Sequence, residues 1–237
     1  TYYIEVFSDI GFYADSYSIT INAPAEAPRV TGVFARGSAW SQSLLDYLQA
    51  NGMGSSEYGY AIPDGLGQLR DLPWSNIDEI ALTFSEPIEA SAISAALISG
   101  RLESTVPIVT ELSDDGMALK IKISAALEWD KYLLRLSGTG QSGIRDRAGL
   151  LLDGEWTNSA DTFPSGNGSP GGDFVFRIDV LPGNSDDSER VNSLDYNVVR
   201  NALPASITSP AYSVFADLDG SGRVGALDAN VVRDNLL

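Results

Sequence analysis

The chain has 237 residues, enough for one large or two modest domains, and its formal net charge is −17 at pH 7. An acidic excess of this size argues against nucleic acid and anionic membrane surfaces as partners, and no apolar run approaches the roughly 18 residues of a membrane-spanning helix. The sequence has no cysteine and no histidine, so we expect no disulfide, no thiolate metal site and no imidazole general base.

Residues 1–22 predict a β-hairpin, because apolar and polar side chains alternate in two stretches on either side of a polar turn. The strands that begin at Tyr2 and Tyr17 resemble the closing hairpin of the bacterial pre-peptidase C-terminal domain. A lone hairpin is marginal in water, so we expect it to complete an upstream β domain or to donate strands to a neighbouring copy. Packing against the sandwich of its own chain is a third option, which Pro24 and Pro28 disfavour. We therefore expect the chain to be the C-terminal part of a longer protein. Residues 23–28 predict a short linker.

Residues 29–181 predict a β-sandwich with one helix near its start. Residues 30–34 have the composition of a strand, residues 41–50 have the apolar spacing of an amphipathic helix, and residues 52–74 predict a long ordered loop. From residue 76 onwards, apolar side chains alternate with a period of two, which predicts strands. The alternating residues are Ile80, Leu82, Phe84, Met117, Leu119, Ile121, Ile123, Tyr132, Leu134, Leu136, Phe174, Phe176 and Ile178.

The order of short motifs in residues 75–180 carries a family resemblance. Thr-Phe-Ser-Glu-Pro at 83–87 precedes a Ser-Asp-Asp-Gly turn at 113–116, and Ile-Arg-Asp-Arg-Ala-Gly follows at 144–149. This order resembles the Ig-like domains of bacterial S-layer and other surface proteins. The resemblance implies an antiparallel Ig-like β-sandwich that serves as a spacer or display module.

Residues 182–237 contain two copies of one sequence repeat. A shift of 33 residues lays the stretch 184–195 onto 217–228, and then Asn-Val-Val-Arg at 197–200 onto the same four residues at 230–233. A self-match at fixed spacing is typical of a duplicated structural unit. A helical pattern follows each loop, so the fold class is mainly β, with a sandwich followed by a small helical module of two loop–helix repeats.

Both loops have the spacing of a calcium loop. An EF-hand loop supplies oxygens from positions 1, 3, 5, 7 and 12, and has glycine at position 6 for the turn. In the second loop the ligand positions hold Asp217, Asp219, Ser221, the Arg223 carbonyl and Asp228. In the first loop they hold Asn184, Asp186, Ser188, the Arg190 carbonyl and Asp195. We expect two Ca²⁺ ions, and a solvated acidic turn is the competing interpretation.

The first calcium site is expected to be the weaker one. Asn184 is neutral, which removes a ligand charge, and Glu189 stands where the second loop has Gly222. A left-handed backbone at Glu189 costs about 1 kcal/mol or more. Residues 182–237 carry eight acidic side chains against four arginines, so we expect calcium binding and folding to be coupled.

The paired repeats resemble a type I dockerin module, which lacks the entering helix of a full EF-hand. Dockerins bind cohesin modules through helix faces that the duplication makes nearly interchangeable. The resemblance places the partner contacts at Ser193, Leu194, Ala226 and Leu227. It implies a cohesin-like or other surface protein domain as partner, and neighbouring copies of the chain are the alternative.

The sequence does not predict an enzyme, because its acidic residues are abundant but form no catalytic motif. Asp146 with Asp153 could hold a third cation, although a polar turn is the favoured interpretation. The four tryptophans could form a sugar-binding strip, although packing in the core is favoured.

Three interpretations of function remain open. The chain is a non-catalytic attachment region of a larger extracellular or cell-surface bacterial protein, or the accessory region of a secreted carbohydrate-active or proteolytic enzyme. In the third, the C-terminal module only packs on its own sandwich as a calcium-locked cap.

Overall fold

The computed structural model describes residues 26–89 and 93–236. The hairpin predicted for residues 1–22 and most of the linker at 23–28 lie outside these residues. The strands are β1 (Val30–Arg36), β2 (Gly54–Ser55), β3 (Gly59–Ala61), β4 (Glu79–Phe84), β5 (Ala95–Ser99), β6 (Ser104–Val106), β7 (Ile108–Leu112), β8 (Ala118–Ile123), β9 (Asp130–Leu136) and β10 (Phe174–Val180). The α-helices are α1 (Gln42–Ala50), α2 (Ser193–Ala202) and α3 (Ala226–Asp234).

The strands form two sheets whose pairings are antiparallel. One sheet has the order β2-β3-β1-β4-β8-β7 and the other has the order β10-β9-β5-β6. Buried side chains from both sheets belong to one hydrophobic cluster, so the sheets pack as a sandwich. The predicted fold class, an antiparallel Ig-like sandwich followed by a small helical module, is confirmed.

The period-two pattern of the sequence places the strands correctly where one face is buried. In β9, Tyr132, Leu134 and Leu136 are buried, while Leu133 and Arg135 between them are exposed. The sequence analysis did not single out β5, β6 and β7. The strand β7 lies at the edge of its sheet, and its residues alternate between half-buried and exposed with none fully buried, so its apolar alternation is weak.

Helix α1 and its ends agree with the prediction. The Ser41 hydroxyl accepts a hydrogen bond from the Leu44 amide at 3.1 Å, which caps the first turn. The apolar face of the helix is buried, and the chain leaves it through Asn51 and through Gly52 at a φ of 66°.

The prediction of a loop from 52 to 74 is wrong in part, because β2 and β3 extend the larger sheet. These strands have only two and three residues, too few to show an alternating pattern. They also need glycine, since a Cβ on Gly54 would lie 2.0 Å from the Gly59 carbonyl oxygen.

The two loop–helix repeats pack on the sandwich through aromatic side chains. Phe215 lies 5.9 Å from Tyr60 and 5.8 Å from Trp74 between ring centroids, and Tyr212 lies 5.1 Å from Tyr47. These contacts make the hydrophobic core continuous across the boundary predicted between 181 and 182. No helix in the described part of the chain is long and apolar enough to cross a membrane.

The tryptophans belong mainly to the core, as favoured from the sequence. Trp40 and Trp74 are buried and pack on each other at 5.1 Å, and Trp156 stacks on Phe163 at 4.6 Å. Trp129 differs, because it is 47% exposed.

Candidate calcium centres and partner surface

The second loop brings three carboxylates to one point. One oxygen each from Asp217, Asp219 and Asp228 lies within 4.8 Å of the other two. Calcium binds oxygen at about 2.3–2.6 Å, so ligands on opposite sides of the ion are about 5 Å apart. The three carboxylates therefore have the spacing that a single Ca²⁺ ion requires.

The remaining predicted ligands of this loop lie beside the carboxylates. The Ser221 hydroxyl donates to the Arg223 carbonyl oxygen at 3.1 Å and lies 3.4 Å from Asp217 Oδ1. Glycines at 220 and 222 have φ values of 71° and 82°, which allow the tight turn. All five groups that the sequence singled out in this loop are thus brought together.

Asp228 connects the loop to the helix that follows. Its Oδ1 accepts from the Leu218 amide at 2.6 Å and from the Asp219 amide at 3.1 Å. Its Oδ2 accepts from the Gly225 amide at 2.6 Å, at the N-terminus of α3. The same carboxylate therefore closes the loop and caps the helix, where a negative charge is favourable.

The carboxylates of the second loop are costly to keep charged without a cation. Burial raises the pKa of Asp217 to about 7, the hydrogen bond from the Tyr212 hydroxyl offsets part of this, and the charge of Asp228 adds to it. Burial also raises the pKa of Asp228. A divalent cation would remove this cost, since it supplies the positive charge that buried carboxylates need.

The first loop repeats the conformation of the second. Asp195 Oδ1 accepts from the amides of Ser185 and Asp186 at 2.7 and 3.2 Å, and its Oδ2 accepts from the Asn192 amide at 2.8 Å. The Ser188 hydroxyl donates to the Arg190 carbonyl oxygen at 3.2 Å. Each contact has its counterpart 33 residues later. The structure thus places Asp195, the Ser188 hydroxyl and the Arg190 carbonyl as it places their counterparts in the second loop.

The predicted backbone strain of the first loop is present. Glu189 has a φ of 61°, and Asp187, which occupies the position of Gly220, has a φ of 59°. Both residues therefore adopt the left-handed conformation that glycine adopts in the second loop. Burial raises the pKa of Asp195 in this loop, as it does for Asp228 in the other.

The sandwich holds the backbone of the second loop, which sequence reasoning missed. The Ser41 amide donates to the Gly220 carbonyl oxygen at 2.9 Å, and the Ser75 amide donates to the Leu218 carbonyl oxygen at 3.1 Å. The Asn76 side chain donates to the Asp219 carbonyl oxygen at 2.7 Å. No local pattern could have revealed these contacts, since the donors lie more than a hundred residues earlier in the chain.

The four residues that the resemblance assigns to partner binding are all exposed. Ser193 and Leu194 lie in the first turn of α2, and Ala226 and Leu227 lie in the first turn of α3. Leu194 is 59% exposed and Leu227 is 65% exposed. The contacts between module and sandwich leave both leucines open to solvent.

The contacts of Asp146 and Asp153 favour a polar turn over a third cation site. The Asp153 carboxylate accepts from Arg29 Nε at 3.0 Å and from the Asn167 and Gly168 amides at 2.8 and 2.9 Å. Asp146 accepts from the Leu150 amide at 2.7 Å. Donors within the chain thus bind both oxygens of Asp153 and one oxygen of Asp146.

The fold and the loops define a β-sandwich that carries a paired loop–helix module of the calcium-binding type. Residues 183–237 match the family model described as the dockerin type I domain. This part of the chain is therefore a type I dockerin-like module, as its repeats predict. No curated protein matches the chain.

Solved structures that are similar to part of this chain include domains of surface-layer proteins. The N-terminal part of the bacterial S-layer protein SbsC has 16% identity and a TM-score of 0.29, over 43% of this chain and 21% of that one. Domains 1–6 of the surface layer protein SbsC give 16% identity and a TM-score of 0.28, over 43% and 12% of the two chains. The chain thus spans about a fifth or less of these proteins.

Proposed function

We propose that this chain is a non-catalytic attachment region of a larger extracellular bacterial protein, in which the dockerin-like module binds two Ca²⁺ ions and docks to a partner protein. The observation that carries the proposal is the convergence of Asp217, Asp219 and Asp228 beside a helix start whose leucine is exposed. The sandwich serves as the spacer that presents the module.

Calcium has a structural role in this proposal. Asp195 and Asp228 each connect a loop to the first turn of the following helix. An ion that binds these carboxylates fixes each loop against its helix, and so fixes the position of the exposed residue pair at the start of that helix. Calcium binding and partner binding are therefore coupled through the loop.

The partner class is a cohesin-like domain on a scaffold or surface protein. Leu194 and Leu227 occupy equivalent positions in the two repeats and are similarly exposed. Either helix can therefore offer an apolar contact flanked by a small residue. Packing of the module on its own sandwich is compatible with this role, because it leaves both leucines uncovered. If the chain instead follows a catalytic domain, the module serves it in the same way.

Calorimetry on the full chain tests both parts of the proposal. Titration with Ca²⁺ should show two sites, and titration with a type I cohesin module should show binding that a chelator abolishes. Leu194→Asp and Leu227→Asp should each leave binding through the other helix, and the double variant should lose it. Leu102→Asp is the matched control, since Leu102 is an exposed leucine of the sandwich, at 67% exposure.

The outcomes separate the alternatives. A chain that binds no calcium contradicts the proposal. A chain that binds calcium but no cohesin module, and whose self-association by light scattering depends on the two leucines, has another copy of itself as partner.

A further inference from the structure

The two loops differ in chemistry at their first ligand position, where Asn184 stands in one and Asp217 in the other. Both side chains are buried, with 2% and 0% exposure. In each loop Oδ1 of this residue accepts from the amide four residues later, at 3.1 Å from Ser188 and 3.0 Å from Ser221. The two side chains therefore present one oxygen to the loop in the same way.

The partners of the second terminal atom have opposite polarity. Asp217 Oδ2 accepts from the Tyr212 hydroxyl at 2.6 Å, so a donor faces the carboxylate. Asn184 Nδ2 donates to Asp71 Oδ2 at 2.7 Å, so an acceptor faces the amide. Asp71 lies outside the module, in the segment between β3 and β4, and is 113 residues away in sequence. In the second loop, the carboxylate at position 1 therefore faces a hydrogen-bond donor. In the first loop, the amide at position 1 faces a hydrogen-bond acceptor.

This contact fixes the orientation of the amide. A carboxylate can accept a hydrogen bond only from the NH₂ end of an asparagine, so Asp71 turns the carbonyl oxygen of Asn184 towards the loop. Asp71 also places a negative charge one hydrogen bond away from a ligand position that lacks its own charge. Partners of this kind orient metal ligands and increase their basicity.

Asp71 is itself held against the first loop. Its amide donates to Asp187 Oδ1 at 3.2 Å, and Arg70 Nε donates to Asp187 Oδ2 at 2.7 Å. The Leu72 amide donates to the Asp179 carbonyl oxygen at 2.9 Å. The segment 70–72 is therefore anchored on both sides, and the Asp71 carboxylate has a defined place.

We propose that Asp71 of the sandwich is a positioning residue for the first calcium site, where it orients Asn184 and supplies the charge that this ligand lacks. The inference rests on the proposed function, because it assumes that the loops bind calcium. It adds that the module alone does not complete its first site. The weakness expected from Asn184 is therefore smaller in the full chain than the loop sequence suggests.

The first experiment measures calcium affinity at the first site alone. Asp219→Ala in the full chain weakens the second site, so that calorimetry with Ca²⁺ reports on the first. In that background Asp71→Ala should lower the affinity about 10- to 100-fold, which is the usual effect of losing such a partner. Asp71→Asn should have a smaller effect, because it keeps an acceptor but not the charge.

Glu189→Gln is the matched control. It removes one negative charge from the same loop, and the exposed Glu189 side chain is not part of the hydrogen bond between Asn184 and Asp71. If it weakens the first site as much as Asp71→Asn, the effect is one of general charge and the positioning role is overturned. Thermal unfolding followed by circular dichroism, with chelator present, shows whether each variant is folded.

A residue exchange gives the sharpest test. Asn184→Asp alone places two carboxylates at hydrogen-bond distance, so it should not tighten the first site in spite of its added ligand charge. Asn184→Asp with Asp71→Asn restores the hydrogen bond with reversed polarity, and should bind Ca²⁺ at least tenfold more tightly than Asn184→Asp alone.

The results distinguish this inference from the proposed function. Suppose that the wild-type chain binds two ions, and that the effects of Asn184→Asp and Asp71→Asn on calcium affinity at the first site simply add. In that case Asp71 does not position Asn184, although the module still binds calcium. If the wild-type chain binds no calcium, both proposals are overturned.

Discussion

Asp217 is a proposed calcium ligand that is fully buried. We therefore expect its protonation state to depend on whether calcium is bound. Its carboxylate accepts from the Tyr212 hydroxyl and from the amides of Ser221 and Gly222. Burial nevertheless raises its pKa to about 7. A proton and a calcium ion therefore compete for the same group near neutral pH.

The stabilisation of the chain by calcium should depend on pH. In chelator, the raised pKa of Asp217 means that the folded state holds a proton more tightly than the unfolded state. Its contribution to stability is full below the ordinary pKa of about 4 and is lost as the pH rises through about 7. Calcium binds the ionised form, so the rise in melting temperature on adding calcium should be larger at about pH 8 than at about pH 5.

Thermal unfolding in Ca²⁺ and in chelator, compared across this pH range, measures the effect. Carboxylates remote from the loops contribute equally to both series and cancel in the difference. Asp217→Asn should flatten the dependence. A calcium effect that is equal at both pH values in the wild-type chain would contradict the predicted competition.

The loop–helix elements are too short to be stable alone. Helices α2 and α3 have 10 and 9 residues, below the length of about 12 residues at which an isolated helix becomes even marginal in water. They depend on the carboxylate caps at their starts and on contacts with the sandwich. Asn76 is central to those contacts, because its side chain accepts from Trp40 Nε1 at 2.8 Å and donates to the Asp219 carbonyl oxygen at 2.7 Å.

Substitution of Asn76 should weaken the second loop without affecting the first. Asn76→Ala leaves the buried indole N–H of Trp40 and one loop carbonyl without their partner, which should lower the free energy of unfolding by about 1–3 kcal/mol. Calcium affinity should fall at the second site only. Ser75→Ala is the control, since its side-chain contact with Leu218 is long, at 3.4 Å, and its backbone hydrogen bond remains. Equal effects of the two substitutions in urea unfolding would show that Asn76 has no special role.

In the part of the chain that the structure describes, the sandwich and the module share one hydrophobic core. Phe215 from the module packs on Tyr60 and Trp74 of the sandwich, and Arg70 lies over its ring at 5.5 Å. Trp74 has no exposed surface and Trp40 is 5% exposed. The stability of each part therefore depends on contacts with the other.

We expect the described parts of the chain to unfold together. Far-ultraviolet circular dichroism and tryptophan fluorescence should give coincident thermal transitions in the wild-type chain, both moved to lower temperature by chelator. Phe215→Ala should lower the free energy of unfolding by about 3 kcal/mol and separate the two transitions. Trp129→Ala is the control, because Trp129 is 47% exposed. Separate transitions in the wild-type chain would mean that the sandwich and the module are independent.

The sequence by itself determined the features whose causes are local. The ligands of each loop lie within twelve positions of one another, so their spacing predicts that they come together in space. The backbone strain at Glu189 is predicted because the counterpart of Glu189 in the second loop is a glycine. Helix α1 was predicted from the spacing of its leucines, and strands such as β9 were predicted from apolar residues that alternate with a period of two.

Only the tertiary structure decided which distant segments complete the loops. Asn76 reaches the second loop across 143 residues, and Asp71 reaches Asn184 across 113. The short strands β2 and β3 are likewise defined by close backbone approach and not by a side-chain pattern. The physical reason is the same in each case: a hydrogen bond or packing contact between remote segments depends on the path of the chain, which local periodicity and propensity do not encode.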